Sequence, residues 1–176
     1  MKSLLVSLLL VLPVFSEENP WTYHKNKVIY SAEVNQTKFK VYFSTGPFDQ
    51  SRHKIVPAKV VGDRLHLPKV DGHEAAGLDG QLPSTKSEFP HLTRLAVSFG
   101  DKVVEAPAKL ISHVFMPHPD TTFDSEYQNG RVAISSDGKT VTVELSISDG
   151  AGADVVAFTF TADGKCKIGL PEVLAN

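Results

Sequence analysis

A single cysteine, Cys166, means that no intramolecular disulfide can close, so the fold must be held by its hydrophobic core. Cys166 alternates with Ile168 and Leu170, and its expected role is that of a small buried hydrophobe. Excess charge is also absent. Eighteen Lys and Arg stand against 20 Asp and Glu, giving a net charge of -2 with no basic patch apparent, which argues against nucleic acid or an anionic membrane as the main partner. No Gly-x-Ser-x-Gly elbow, Walker loop or dinucleotide fingerprint occurs, so no reaction class has a sequence signature.

Long apolar runs are missing everywhere except at the start. Lys2 precedes an apolar stretch of about a dozen residues from Leu4 to Phe15, and Val14-Phe15-Ser16 forms a cleavage site ending in a small residue. Ser16-Glu17-Glu18-Asn19-Pro20 ends the run well short of the roughly 18 residues a membrane span requires. The expectation is a signal peptide over 1–16 and a secreted or periplasmic chain over 17–176, with no stable membrane insertion after cleavage. Removing the segment takes away Lys2 and no acid, moving the net charge from -2 to -3.

The remaining chain repeats with a period of two. "VIYSAEV" places Val28, Tyr30, Ala32 and Val34 on one face, and "TKFKVYF" places Phe39, Val41 and Phe43 opposite Lys38 and Lys40, with Asn35-Gln36 as the hairpin turn. Gly62-Asp63 joins "KIVPAKVV" to "RLHLPKV", where Pro57 and Pro68 indicate a sheet edge, and Gly100-Asp101 joins "LTRLAVSF" to "KVVEA". The C-terminal part reads as an antiparallel meander with "SDGK" and "ADGK" turns. In it Val141, Val143, Leu145 and Ile147 point inward with Phe158 and Phe160, and Thr140, Thr142, Glu144 and Ser146 face water.

"PAKLISHVF", residues 107–115, fits a short helix with Pro107 in its first position, and fits a strand equally. Residues 71–90 show no sustained period and read as a long irregular loop. The architecture expected is mainly β: a single β-rich domain, either an antiparallel β-sandwich or an open barrel, with a C-terminal meander and at most one short helix.

Chemistry-bearing residues are scattered. "HEAAG" at His73 begins like a zinc-protease helix, but Gly77 holds the place of the second histidine and excludes that site. "SDGAGAD" offers Asp149 and Asp154 to a shallow calcium or sugar site without matching an EF-hand. Trp21 and Tyr23 project to one side of an extended segment, as a sugar-stacking platform or as anchors tying the terminus to the core.

Of seven histidines, His66, His73, His91, His113 and His118 fall in the middle third. "HVFMPHP" adds Met116, so His91, His113, Met116 and His118 form a candidate copper or zinc set. Neither strand nor helix brings His113 and His118 to one face, and the prolines favour an extended loop that carries no metal. The function expected is therefore that of an exported, non-catalytic binding or structural domain without a cofactor, recognising a carbohydrate or a protein and not nucleic acid. The alternatives are a periplasmic Cu/Zn-binding protein and a secreted hydrolase with no readable motif.

Overall fold

The computed structural model describes residues 21–24, 26–78, 87–115, 117, 130–147 and 154–169; at 21, 23, 87–90, 130 and 154 it describes the backbone alone. The segment read as a signal peptide lies outside these residues, as do Met116, His118 and Asp149. Among the described residues no helix is long and apolar enough to cross a membrane.

Strands β1 (Trp21–His24), β2 (Lys27–Val34) and β3 (Thr37–Phe48) are consecutive antiparallel neighbours. Asn35 and Gln36 both take positive φ, 50° and 63°, so the two-residue turn has the primed geometry that matches the twist of the flanking strands. That turn pairs Val34 with Thr37 and brings Val28, Phe39, Val41 and Phe43 into the core, while Lys38 and Lys40 stay exposed. Next, β3 crosses to pair antiparallel with β9 (Ser87–Phe99), matching Phe39 with Phe99 and Val41 with Val97. The Gly100-Asp101 turn returns β9 to β10 (Lys102–Glu105). The first sheet thus runs β1-β2-β3-β9-β10.

The second sheet is the expected meander of β11 (Gly130–Ile134), β12 (Thr140–Ile147), β13 (Asp154–Thr161) and β14 (Cys166–Gly169). Its two Asp-Gly-Lys turns are built alike. Asp137 accepts hydrogen bonds from Ser135 Oγ and the Lys139 amide, at 2.7 and 3.0 Å, and Asp163 accepts from Thr161 Oγ1 and Lys165 Nζ. Val141, Val143, Leu145 and Ile147 are buried along β12, as are Phe158 and Phe160 on β13. These side chains share one core cluster with Val28, Phe39, Val41, Phe43, Leu95 and Val97 of the first sheet. Two open antiparallel sheets packed over one core make a sandwich, and neither closes into a barrel.

Between β3 and β9 the Gly62-Asp63 hairpin forms as expected, its two ladders in a single register and interrupted at the prolines. Pro57 divides "KIVPAKVV" into β4 (Ile55–Val56) and β5 (Lys59–Val61), and Pro68 divides "RLHLPKV" into β6 (Arg64–His66) and β7 (Lys69–Val70). β5 and β6 form a two-stranded sheet by themselves, while β7 pairs with β4 and with β8 (His73–Glu74). The stretch read as an irregular loop over 71–90 is therefore partly structured. Asp71 and Gly72 take φ of 53° and 97° as the turn between β7 and β8, and β9 already begins at Ser87.

The helix alternative holds for one turn only. α1 (Ala108–Ile111) follows Pro107, which stands at the cap instead of the first helical position, and Val114 and Phe115 are then extended in bridges to Ala76 and His91. Cys166 is half-buried against the core rather than fully enclosed, and burial pushes its thiol up to about 11, which suits a packing role and not a nucleophile.

Candidate functional site

Register irregularities between Ser44 and Thr45, and again between Pro47 and Phe48, bend the far end of β3 away from the main core. Phe48 enters a second, smaller cluster with Val70, Ala75 and Phe115. Around it gather four histidines from separate parts of the chain. The His53 ring stacks on Phe48 at 5.1 Å, while His91 and Phe115 meet Phe48 edge-on at 5.3 and 4.7 Å. On the side of the small sheet, His73 and His113 stack at 4.8 Å with their planes 23° apart.

Each imidazole has a different environment. His91 is buried and its Nδ1–H donates to the Gly46 carbonyl at 3.2 Å; burial pulls its pKa below the usual range against that hydrogen bond, and nearby His53 and Arg52 lower it further. His53 Nδ1 lies 2.9 Å from Asp71 Oδ2, and Asp71 Oδ1 accepts the Lys54 amide at 2.9 Å. Burial raises the Asp71 carboxyl, but the bonds from His53 and Lys54, together with the neighbouring Ser112 hydroxyl, outweigh it and bring the carboxyl down to about 2. The positive φ of Asp71 in its turn aims the carboxylate at both partners. His113 is buried with its Nδ1 unpartnered, and burial, followed by the proximity of His73, lowers it to about 4 despite the opposing charge of Asp71.

His53 and Asp71 form an acid–histidine pair, and among the described residues no serine hydroxyl is hydrogen-bonded to a histidine. Ser112 Oγ is buried near the acid and has no well-formed hydrogen bond of its own. Of the candidate metal set, Met116 and His118 lie outside the described residues. His91 belongs with Phe48 and His53, and His113 with His73; among the described residues no group of three or more His, Cys, Asp or Glu is placed to hold a metal ion. His66 is exposed on β6. His73 lies on a strand, which removes any helical zinc-protease geometry. Trp21 and Tyr23 lie on β1, opposite Tyr30 and Val28, and Asp154 opens β13; the side chains of all three lie outside the described residues.

The spacing of the histidines gave no sign of these pairings, because the partners are 18 and 40 residues apart and meet only through the fold. Two local signals bore on it: the Gly62-Asp63 hairpin, whose register brings His53 beside Asp71, and Asp71-Gly72, the turn that leads on to His73.

The cluster is expected to make the protein acid-sensitive. His113 has an ordinary pKa of 6.5 and a folded one of about 4, so between those values the unfolded chain binds the proton that the folded chain refuses. Stability is expected to fall as pH drops from 6.5 to 4, by on the order of 2 to 3 kcal/mol from this group. His91 is shifted in the same direction. Asp71, held down from 3.8 to about 2, adds a second loss as pH falls between those values. Urea midpoints across pH 7 to 4 should decline steeply in the wild type and much less in His113→Phe, which keeps the ring and removes the orphaned nitrogen; parallel profiles would show that His113 is not the cause.

Two surface features lie elsewhere. An open concavity of about 420 Å³ on the wet face of the second sheet is lined chiefly by Lys139, Thr140, Thr159, Thr161, Lys165 and Lys167. The other is the β5–β6 hairpin. Six large hydrophobics are exposed among the described residues, and four of them, Val56, Val60, Val61 and Leu65, fall within ten residues, with Val60 69% and Leu65 58% exposed. No family model, curated protein or solved structure matches the chain.

Proposed function

We propose that this chain is an exported, non-catalytic binding domain whose contact surface is the β5–β6 hairpin. The concentration of exposed apolar side chains on Val56–Leu65 carries the reading. These residues belong to no core cluster, and the hairpin is hydrogen-bonded to no other sheet among the described residues. Val60 and Leu65 stand directly opposite each other, so water meets an apolar pair that folding leaves uncovered. Their exposure leaves these side chains free to meet a ligand.

A photo-crosslinking amino acid at position 60, in cells that produce the protein, should give a discrete adduct of defined mass. The same probe at Thr142, on the outer face of β12, should give little. Equal yields at the two positions, or none at 60, would reject the hairpin as the contact surface.

A further inference from the structure

We infer that the β5–β6 hairpin rests against a bilayer surface carrying anionic phosphate headgroups. The inference builds on the proposed contact surface and names what that surface meets. Alternation sorts the hairpin into two faces: Val60 and Leu65 form the apolar face, while the Lys59–His66 and Val61–Arg64 pairs lie on the opposite one. An element with one apolar and one cationic face lies in the plane of a membrane interface, its apolar face toward the acyl boundary and its cations among the headgroups. The sequence between Gln50 and Val70 carries Arg52, Lys54, Lys59, Arg64 and Lys69 against one acid, Asp63. Asp49 and Asp71, just outside, keep their charges while accepting from the Ser51 and Lys54 amides, so residues 49–71 carry five cations against three acids. Lys59 and Arg64 stand on the hairpin against Asp63 in its turn, so the chain's net charge of -2 hides a modest local excess of positive charge on and beside its most apolar exposed element.

Three observations favour lipid over protein. The exposed apolar pair is far smaller than the roughly 800 Å² per partner that a stable protein interface buries, which counts against a second copy of the chain. Strand addition at the hairpin edges is opposed by Pro57 and Pro68 on either side and by Lys59 and Arg64 on the strands. Val61, 53% exposed, emerges on the face opposite Val60, and a fluid headgroup layer covers both faces where a flat partner covers one. With the hairpin lying in the plane, Asp63 stays in the turn at headgroup level instead of at the deepest point.

The test is co-sedimentation of the full mature chain with vesicles of phosphatidylcholine containing phosphatidylglycerol, and with phosphatidylcholine alone. At low salt, partitioning to the anionic vesicles should exceed that to neutral ones by about tenfold or more and should collapse as salt is raised. Val60→Ser/Leu65→Ser and Lys59→Glu/Arg64→Glu, whose sites are exposed, should keep the wild-type circular dichroism spectrum and unfolding midpoint. Each should lose about tenfold in partitioning. Equal partitioning to both vesicle types, or variants that partition like the wild type, would overturn the inference. A concentration-dependent dimer abolished by Val60→Ser/Leu65→Ser, without vesicle binding, would assign the hairpin to a second copy. A protein adduct at position 60 without vesicle binding would overturn the lipid assignment and leave the contact surface standing.

Discussion

Gly77→Ala is expected to lower the free energy of unfolding by about 3 to 5 kcal/mol, although it adds one methyl group. Gly77 has φ of 86°, a region that costs an alanine energy wherever it occurs. Space is the second problem: a Cβ there would stand 2.3 Å from the Phe115 carbonyl oxygen and 3.4 Å from Ile147 Cβ. The carbonyl cannot easily retreat. The Phe115 amide donates to Ala76 O and the Ala76 amide donates to His113 O, both at 2.9 Å, so moving Phe115 breaks the bridge that seats His113 and the second core. Gly62→Ala supplies the contrast. Its φ is 61°, but nothing lies within 4 Å of the added carbon, so only the conformational term remains, about 1 kcal/mol. Denaturant unfolding of both variants separates the two terms, and similar losses would refute a steric role for Gly77.

Gly77 also shows where sequence reading stops. In "HEAAG" it is visible as the residue that spoils a zinc-protease motif, but its actual constraint comes from Phe115, 38 residues away. Local signals were readable: Asn35-Gln36, Gly62-Asp63, Gly100-Asp101 and the two Asp-Gly-Lys turns each connect the strands their flanking alternation implied. A two-residue turn fixes register, and register fixes which face is buried. By contrast β8 is two residues long, too short to show a period, and the pairing of β3 with β9 depends on partners 39 to 60 residues apart. The histidine cluster depends on all of these at once. It is assembled by the bulged end of β3, the Asp71-Gly72 turn and the segment after α1, and its spacing in the chain carries no trace of that meeting.

Phe158→Ala should destabilise the protein by about 3 to 5 kcal/mol, because it empties the centre of the main core. Phe158 is fully buried and sits between Val143 on β12 and Ile168 on β14, in the cluster that also holds Phe39, Val41 and Leu95 of the opposing sheet. Both sheets line the resulting space, and their hydrogen-bonded backbones limit how far it can collapse. Thr142→Ala tests the same register from the other side. Thr142 is on β12 opposite Thr159, on the face away from the core, so its loss should cost no more than about 0.5 kcal/mol. Phe158→Leu should fall between them, since it keeps most of the apolar volume. The order Phe158→Ala, Phe158→Leu, Thr142→Ala in urea midpoints is the expected result. If Thr142→Ala instead matched Phe158→Ala, the inward and outward faces of β12 would be exchanged, which a one-residue slip against β13 would produce.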